Sequence, residues 1–276
     1  TWFSLADTEG NITSLADADY VNYAHQSNLE VWAVLRDFHG GINSYEETYQ
    51  VLSYTSKRAK LINQVISKAL ETDVDGINLD FELVSDECGP HYVQFVRELS
   101  VKCRQNGLVF SVDNYVPQPY NTEGSYEAGS VASIGYLKNG ISEALKSVPA
   151  DKLIAGVPFY TRLWFERPKT DEEFAADEGT EAENYPNKVK SSAYGMDDAA
   201  ELISSMGAQT EWDDKTKQNY AQWEGDGGVY KIWLEDPQSL EEKLKVIKEN
   251  QLAGVAEWSL GMEGSGVWDL ILQYVN

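Results

Sequence analysis

Apolar residues along this chain fall into two rhythms that take turns. Short apolar runs at 2–6 (WFSLA), 30–35 (EVWAVL), 76–81 (GINLDF), 108–116 (LVFSVDNYV), 152–160 (KLIAGVPFY) and 253–260 (AGVAEWSL) have the length of buried strands. Between them Leu61, Ile62, Val65, Ile66, Ala69 and Leu70 recur at i, i+3 and i+4, as do Tyr92, Phe95, Val96 and Leu99. That spacing predicts helices with a single apolar stripe. Residues 136–145 (YLKNGISEAL) also read as helix, and Ser239 with Glu242 three positions on, just behind Pro237, predicts a further helix start. Strands alternating with amphipathic helices make an α/β fold with a parallel sheet and helices outside it. At 276 residues, a TIM (β/α)8-type barrel fits better than an open sheet.

One stretch departs from that rhythm. Within 165–236 a helix from Asp197 to Met206, closed by Gly207, is followed by QNYAQWEGDGGVYKIWLE, two alternating runs about a Gly-Asp-Gly-Gly turn. The expected organisation is therefore the first part of a barrel over 1–164, a small α+β insertion over 165–236, and the last helix, strand and helix of the barrel over 237–276. The acidic run 166–184 (ERPKTDEEFAADEGTEAEN) reads as a solvated loop of the insertion.

Charge narrows the function classes. The chain holds 22 Lys+Arg against 45 Asp+Glu, a net charge of −23, which repels phosphate backbones and anionic lipid surfaces. Neither nucleic-acid binding nor membrane insertion is expected, and no apolar run approaches the roughly 20 residues of a membrane helix. The first residues do not form a signal peptide, so the chain reads as cytosolic or as the mature part of an exported protein. Cys88 and Cys103 make no disulfide framework and are expected as free or buried thiols. His25, His39 and His91 lack metal-ligand spacing, so neither metal nor cofactor is expected. The 8 Trp and 16 Tyr suit either a large core or a ligand with flat apolar faces, such as a sugar.

The chemistry concentrates at 75–82 (DGINLDFE). Successive side chains of a strand point to opposite faces, so Ile77, Leu79 and Phe81 should face the helices while Asn78, Asp80 and Glu82 share the other face. Alternate Cα atoms lie about 6.6–6.8 Å apart, which makes a ladder of one amide and two carboxylates climbing to the strand's C-terminal end, where barrel active sites sit. Desolvation and the neighbouring Asp80 should both resist ionisation of Glu82. Buried acids are costly, and their presence asks for a use.

This ladder resembles the DxxDxDxE signature of glycoside hydrolase family 18, the chitinase and endo-β-N-acetylglucosaminidase family. GVPFYTRLW (156–164) is similar to the family's seventh strand and GVAEWSLG (254–261) to its eighth, with an α+β insertion between the two. With Asn in place of the signature's second Asp, DGINLDFE looks most like the bacterial branch that includes spore-cortex lytic enzymes, which cut peptidoglycan at N-acetylglucosamine. The resemblance implies a secreted or spore-associated retaining glycosidase, a monomer, whose partner is a polysaccharide or oligosaccharide containing N-acetylglucosamine. Peptidoglycan, chitin fragments and the core of N-glycans all carry that sugar, and a catalytically silent carbohydrate-binding protein is the alternative from another class.

The resemblance also implies roles. Glu82 would be the general acid and later base, and Asp80 would orient the substrate's 2-acetamido group and stabilise the oxazolinium ion formed when the carbonyl oxygen attacks. The family belongs to the substrate-assisted exceptions among glycosidases. Trp258 would floor the sugar site. Tyr115, Tyr160, Arg162 and Trp164, at or just past strand ends, would bind sugar or serve as rim packing. Asp113 and Glu257 are the candidates for a second, nucleophilic carboxylate. Two departures stand out. Asn78 replaces the usual Asp, so that Asp80 should keep its charge more readily. The family's first and sixth strands are missing, and because deleting them from a closed barrel would expose raw sheet edges we expect a truncated chain, with a disordered segment near Asn121–Ser125 left out of this sequence.

Overall fold

The structure is a computed structural model that describes residues 2–114 and 126–275. Two compact units are present, Thr1–Tyr115 and Val116–Asn276. The stretch 121–125, where a segment is expected to be left out, lies outside the described residues.

In the first unit β1 (Phe3–Leu5), β2 (Ile12–Ser14), α1 (Ala18–Gln26), β3 (Trp32–Arg36), α2 (Tyr45–Leu52), α3 (Thr55–Glu71), β4 (Gly76–Asp80), α4 (Gly89–Gln105) and β5 (Val109–Val112) follow in order. They build a sheet of order β2-β1-β3-β4-β5, in which β1, β3, β4 and β5 are parallel. These four strands coincide with apolar runs of the sequence. β2 does not, because three residues carry too little pattern. It is folded back onto β1 by a turn in which the Asp7 carboxylate accepts the N–H groups of Glu9 and Asn11 and Gly10 takes φ +78°. One face of the sheet is wholly apolar. Phe3, Leu5, Ala33, Leu35, Ile77 and Leu79 are buried against Leu61 and Val65 of α3 and Phe95 and Leu99 of α4. Each large side chain so buried stabilises by roughly 1.5–3 kcal/mol. Leu70, counted in the α3 stripe, is in fact exposed. Cys88 and Cys103 are buried free thiols, and burial pushes both up to about 11.

The second unit contains α5 (Ile134–Ala144), β6 (Ile154–Pro158), β7 (Tyr160–Pro168), α6 (Asp171–Asp177), β8 (Asn187–Gly195), α7 (Met196–Met206), β9 (Glu211–Asp213), β10 (Gln218–Gly225), β11 (Gly228–Trp233), α8 (Pro237–Glu249), β12 (Gly254–Trp258) and α9 (Val267–Val275). β6 and β12 pair in parallel, and α5, α8 and α9 pack on them through Ile141, Val157, Leu244 and Ile271. A separate antiparallel sheet, β8-β7-β11-β10-β9, carries α7 on a small core of Ala199, Ile203, Ala221 and Ile232. This sheet starts at Tyr160, ahead of the stretch where the sequence rhythm breaks.

Three local expectations need correction. The acidic run is not all loop: Thr170 and Glu173 form a capping box that starts α6, a signal hidden by the surrounding charges. α8 begins at Pro237 rather than Ser239. Asp236 caps it, and Ser239 is the buried third residue of that box. α7 opens one residue earlier, at Met196, and ends as expected on a left-handed Gly207.

The second unit also buries a charge pair. Glu235 and Lys243 are 1% exposed each, with Nζ 2.8 and 2.9 Å from the two carboxylate oxygens. Ser239 Oγ and Gln218 Nε2 donate to the remaining acceptor positions of the carboxylate, and the Ser130 hydroxyl donates in turn to Gln218. One network therefore ties β10 and α8 to the loop before α5. Removing one partner of such a pair strands the other charge. Lys243→Met is expected to cost roughly 3–5 kcal/mol, read from the urea midpoint. Adding Glu235→Gln to that background should recover part of the loss, because the stranded group is then neutral. A double variant less stable than Lys243→Met would refute this account.

Candidate active site

The ladder stands where strand alternation puts it. Ile77 and Leu79 are fully buried toward the helices, while Asn78 and Asp80 are half-buried on the other face. The parallel register sets their neighbours. Val34 and Ser111 are the Cα partners of Asn78, and Arg36 is that of Asp80. Asn78 Nδ2 donates to Ser111 Oγ and to Asp113 Oδ1, both at 2.9 Å. Asp113 lies just past β5, its N–H donating to the Leu79 carbonyl at 2.8 Å. The amide at position 78 thus acts as a donor that draws Asp113 to the ladder.

Burial falls on Asp80 rather than on Glu82, contrary to expectation. Glu82 is exposed, because β4 ends at Asp80 and the chain has left the sheet. The Asp80 carboxyl is pushed up to about 6, first by burial and then by the negative charges of Asp113, Glu82 and Asp37, with Arg36 pulling the other way. Asn78 brings no charge of its own to the ladder, but the Asp113 it draws in does, and that charge is the second cause of the rise at Asp80. The Arg36 guanidinium sits 4.9 Å over the Phe38 ring, and its Nε is buried with no hydrogen-bond partner.

Two residues near the ladder escaped the sequence reading. Asp37, just past β3, is fully buried and accepts hydrogen bonds from the backbone N–H groups of Glu82 and Leu83, each at 2.9 Å, and from Thr48 Oγ1 at 3.2 Å. Tyr92 of α4 was read only as part of an apolar stripe. Burial, then the charges of Asp37, Asp113 and Asp80, push its phenol up to about 12, so it stays a neutral donor. An acid closing the apolar run VWAVL was the available signal for Asp37. For Tyr92 the sequence carries none.

The other expected residues belong to the second unit, except Tyr115, which lies outside the described residues. Tyr160, Arg162 and Trp164 alternate along β7 on one face. Arg162 Nη1 donates to Ser191 Oγ on the paired strand at 2.7 Å, and Tyr160 is half-buried. Trp164 cannot stack on a sugar: it is 1% exposed in the middle of the sheet, and its indole N–H donates to the Gly129 carbonyl at 2.9 Å. Trp258 is 71% exposed at the end of β12, with a cis peptide bond to Ser259. Glu257 is half-buried, and burial pushes its carboxyl up.

Comparison with known proteins agrees with this architecture. The profile of glycosyl hydrolases family 18 matches residues 120–263. The uncharacterized glycosylase YvbX of Bacillus subtilis is 23% identical over 96% of this chain and 80% of its own length. A cortical fragment-lytic enzyme of Bacillus anthracis is 22% identical over 93% of this chain and 62% of its own. The crystal structure of the spore cortex-lytic enzyme SleL of Bacillus megaterium superposes with a TM-score of 0.82 at 20% identity, over all of this chain and 66% of that one. That likeness shows an α/β fold of TIM-barrel type. The ladder at 75–82 lies outside the profile match and stands on its own geometry. The match takes in more than half of the sequence, and the chain belongs to glycosyl hydrolases family 18.

Proposed function

We propose that this chain is a retaining glycosidase that cleaves β-1,4 bonds beside N-acetylglucosamine in peptidoglycan or chitin-type chains, by substrate-assisted catalysis. The observation that carries the reading is the pair of unlike carboxyls at the end of β4. Asp80 is half-buried and pushed up to about 6, and Glu82, two residues on, is exposed where a glycosidic oxygen has access to it. In this reading Glu82 gives its proton to the leaving oxygen while the substrate's acetamido oxygen attacks the anomeric carbon. Asp80, as a carboxylate, accepts the acetamido N–H and offsets the positive charge of the oxazolinium ion. Water then adds from the same face with Glu82 as base, so the anomeric configuration is retained. Asn78 and Asp113 keep the ladder's geometry through their shared hydrogen bond.

The exposed indole of Trp258 suits stacking on a sugar ring, and Tyr160 and Arg162 suit contacts to hydroxyl groups. Relatives named as cortical fragment-lytic and spore cortex-lytic enzymes favour peptidoglycan over chitin and a spore-associated or extracellular place of action. Among the described residues no helix is long and apolar enough to cross a membrane.

The test is a pair of rates on matched oligosaccharides, one N-acetylated and one de-N-acetylated at the sugar on the non-reducing side of the scissile bond. Cleavage of the first alone is expected. Equal rates, or a glycosyl ester trapped on a carboxylate, would show that a side chain attacks instead, with Asp113 the first to mutate. Glu82→Gln should keep the fold and lower turnover on the order of 10²–10⁴-fold. A folded Glu82→Gln protein with full activity would remove Glu82 from the mechanism.

A pH dependence follows from Asp80. Its carboxylate form is needed, so kcat/KM should fall as pH drops through about 6. Asn78→Asp adds a like charge against both Asp80 and Asp113, and should move that limb to higher pH. The sign for stability is opposite. A carboxyl raised from 3.8 to about 6 stabilises the fold only while it stays protonated, and that gain is lost as pH rises through about 6. Asp80→Asn should therefore unfold at higher temperature than wild type at pH 7, by on the order of 1 kcal/mol after solvent screening, and be inactive. Equal melting of the two proteins at pH 7 would contradict the burial argument.

A further inference from the structure

We propose that Asp37 is a positioning residue for Glu82, holding the chain beyond β4 on the path that presents the Glu82 carboxyl. The inference rests on the role proposed above for Glu82. Its ground is where the backbone hydrogen bonds go. β4 ends at Asp80, so residues 82 and 83 have left the ladder. Among the described residues the N–H groups of Glu82 and Leu83 donate to Asp37 Oδ1 and Oδ2, each at 2.9 Å, and to no backbone carbonyl. Thr48 Oγ1, from α2, donates to the same Oδ2 at 3.2 Å. One fully buried carboxylate thereby spans three elements, β3, α2 and the exit of β4.

An acid suits this place better than an amide. A carboxylate offers an acceptor on each oxygen, one for each of two consecutive N–H groups, whereas Asn offers a single acceptor oxygen and would turn its NH₂ toward a donor. Burying a carboxylate has a cost, and burial does push Asp37 upward in spite of its three hydrogen bonds. A charge next to the catalytic carboxyls has a further effect, because Asp37 is one of the negative groups that keep Asp80 raised. The charge of Asp37 acts on Asp80 at the end of β4 and on Cys88 and Tyr92 of α4, while Glu82 and Arg36 act on Asp80 in their turn. Asp113 lies beyond, past β5.

The experiment compares Asp37→Asn, Glu82→Gln and the double variant on one N-acetylated substrate, with melting temperatures measured alongside. Asp37→Asn should lower kcat on the order of 10²-fold while KM holds, as displacement of a catalytic group by about 1 Å does. Its acidic limb should move to lower pH, because Asp80 has lost a facing negative charge. In the Glu82→Gln background the same substitution should cause no further loss, since Asp37 acts through Glu82. Should Asp37→Asn fail to fold, Thr48→Val removes only the hydroxyl donor to Oδ2 and should give a several-fold fall in kcat with KM held.

A folded Asp37→Asn protein with a lower melting temperature but unchanged kcat and pH limb overturns the proposal. So does an undiminished effect in the Glu82→Gln background, or an unchanged kcat in Thr48→Val where that variant is the one measured. Full activity of Glu82→Gln sinks the functional reading itself. An inactive Glu82→Gln beside a wild-type-like Asp37→Asn sinks only the positioning role.

Discussion

The first unit depends on the twofold alternation of β4. Five residues send Ile77 and Leu79 into the helices and Asn78 and Asp80 to the opposite face, so the apolar half of the strand stabilises the polar half in place. A slip of one residue in register would bury two polar groups among Leu61, Val65 and Phe95 and expose two apolar ones. That penalty is large enough to pin the register. The pinned register in turn makes Arg36 the partner of Asp80 and Ser111 the partner of Asn78.

Carboxylates crowd the C-terminal end of this sheet, and the structure manages them by unlike means. Asp37 is fully buried and saturated with donors. Asp80 is half-buried and raised, Asp113 is exposed and drawn in by the Asn78 amide, and Glu82 is exposed beyond the strand. Two neighbouring carboxyls thus stand in unlike surroundings, Asp80 half-buried among negative charges and held toward its neutral form, Glu82 exposed. It is not an arrangement that stability alone would select, since like charges held together oppose folding.

The second unit uses a buried charge for another purpose. Glu235 and Lys243 neutralise each other, and with Ser239, Gln218 and Ser130 they form a closed set of hydrogen bonds. Within that network neither charge is left without its partner, so it reads as a clamp between β10 and α8. Trp164 shows the same economy, with its ring filling the antiparallel sheet and its one polar atom satisfied by the Gly129 carbonyl.

The alternation of apolar runs with helical stripes was enough to find every long parallel strand, the α7 stop at Gly207 and the hairpin of β10 and β11, because each is a local pattern with a local physical cause. The polar face of β4 was legible for the same reason. Capping was read less well, since the α8 box and the box that starts α6 sit within charge-rich sequence. What no local pattern could supply is which groups meet across strands. Asp113 stands beside Asn78 only because β4 and β5 pair, Asp37 reaches Glu82 only because β3 and β4 pair, and Trp164 is sealed only because strands lie on both its sides. Desolvation is a property of those assembled neighbours. For that reason the sequence named the acids, while tertiary packing decided that Asp80 is the half-buried one, held toward neutrality, and that Glu82 is exposed.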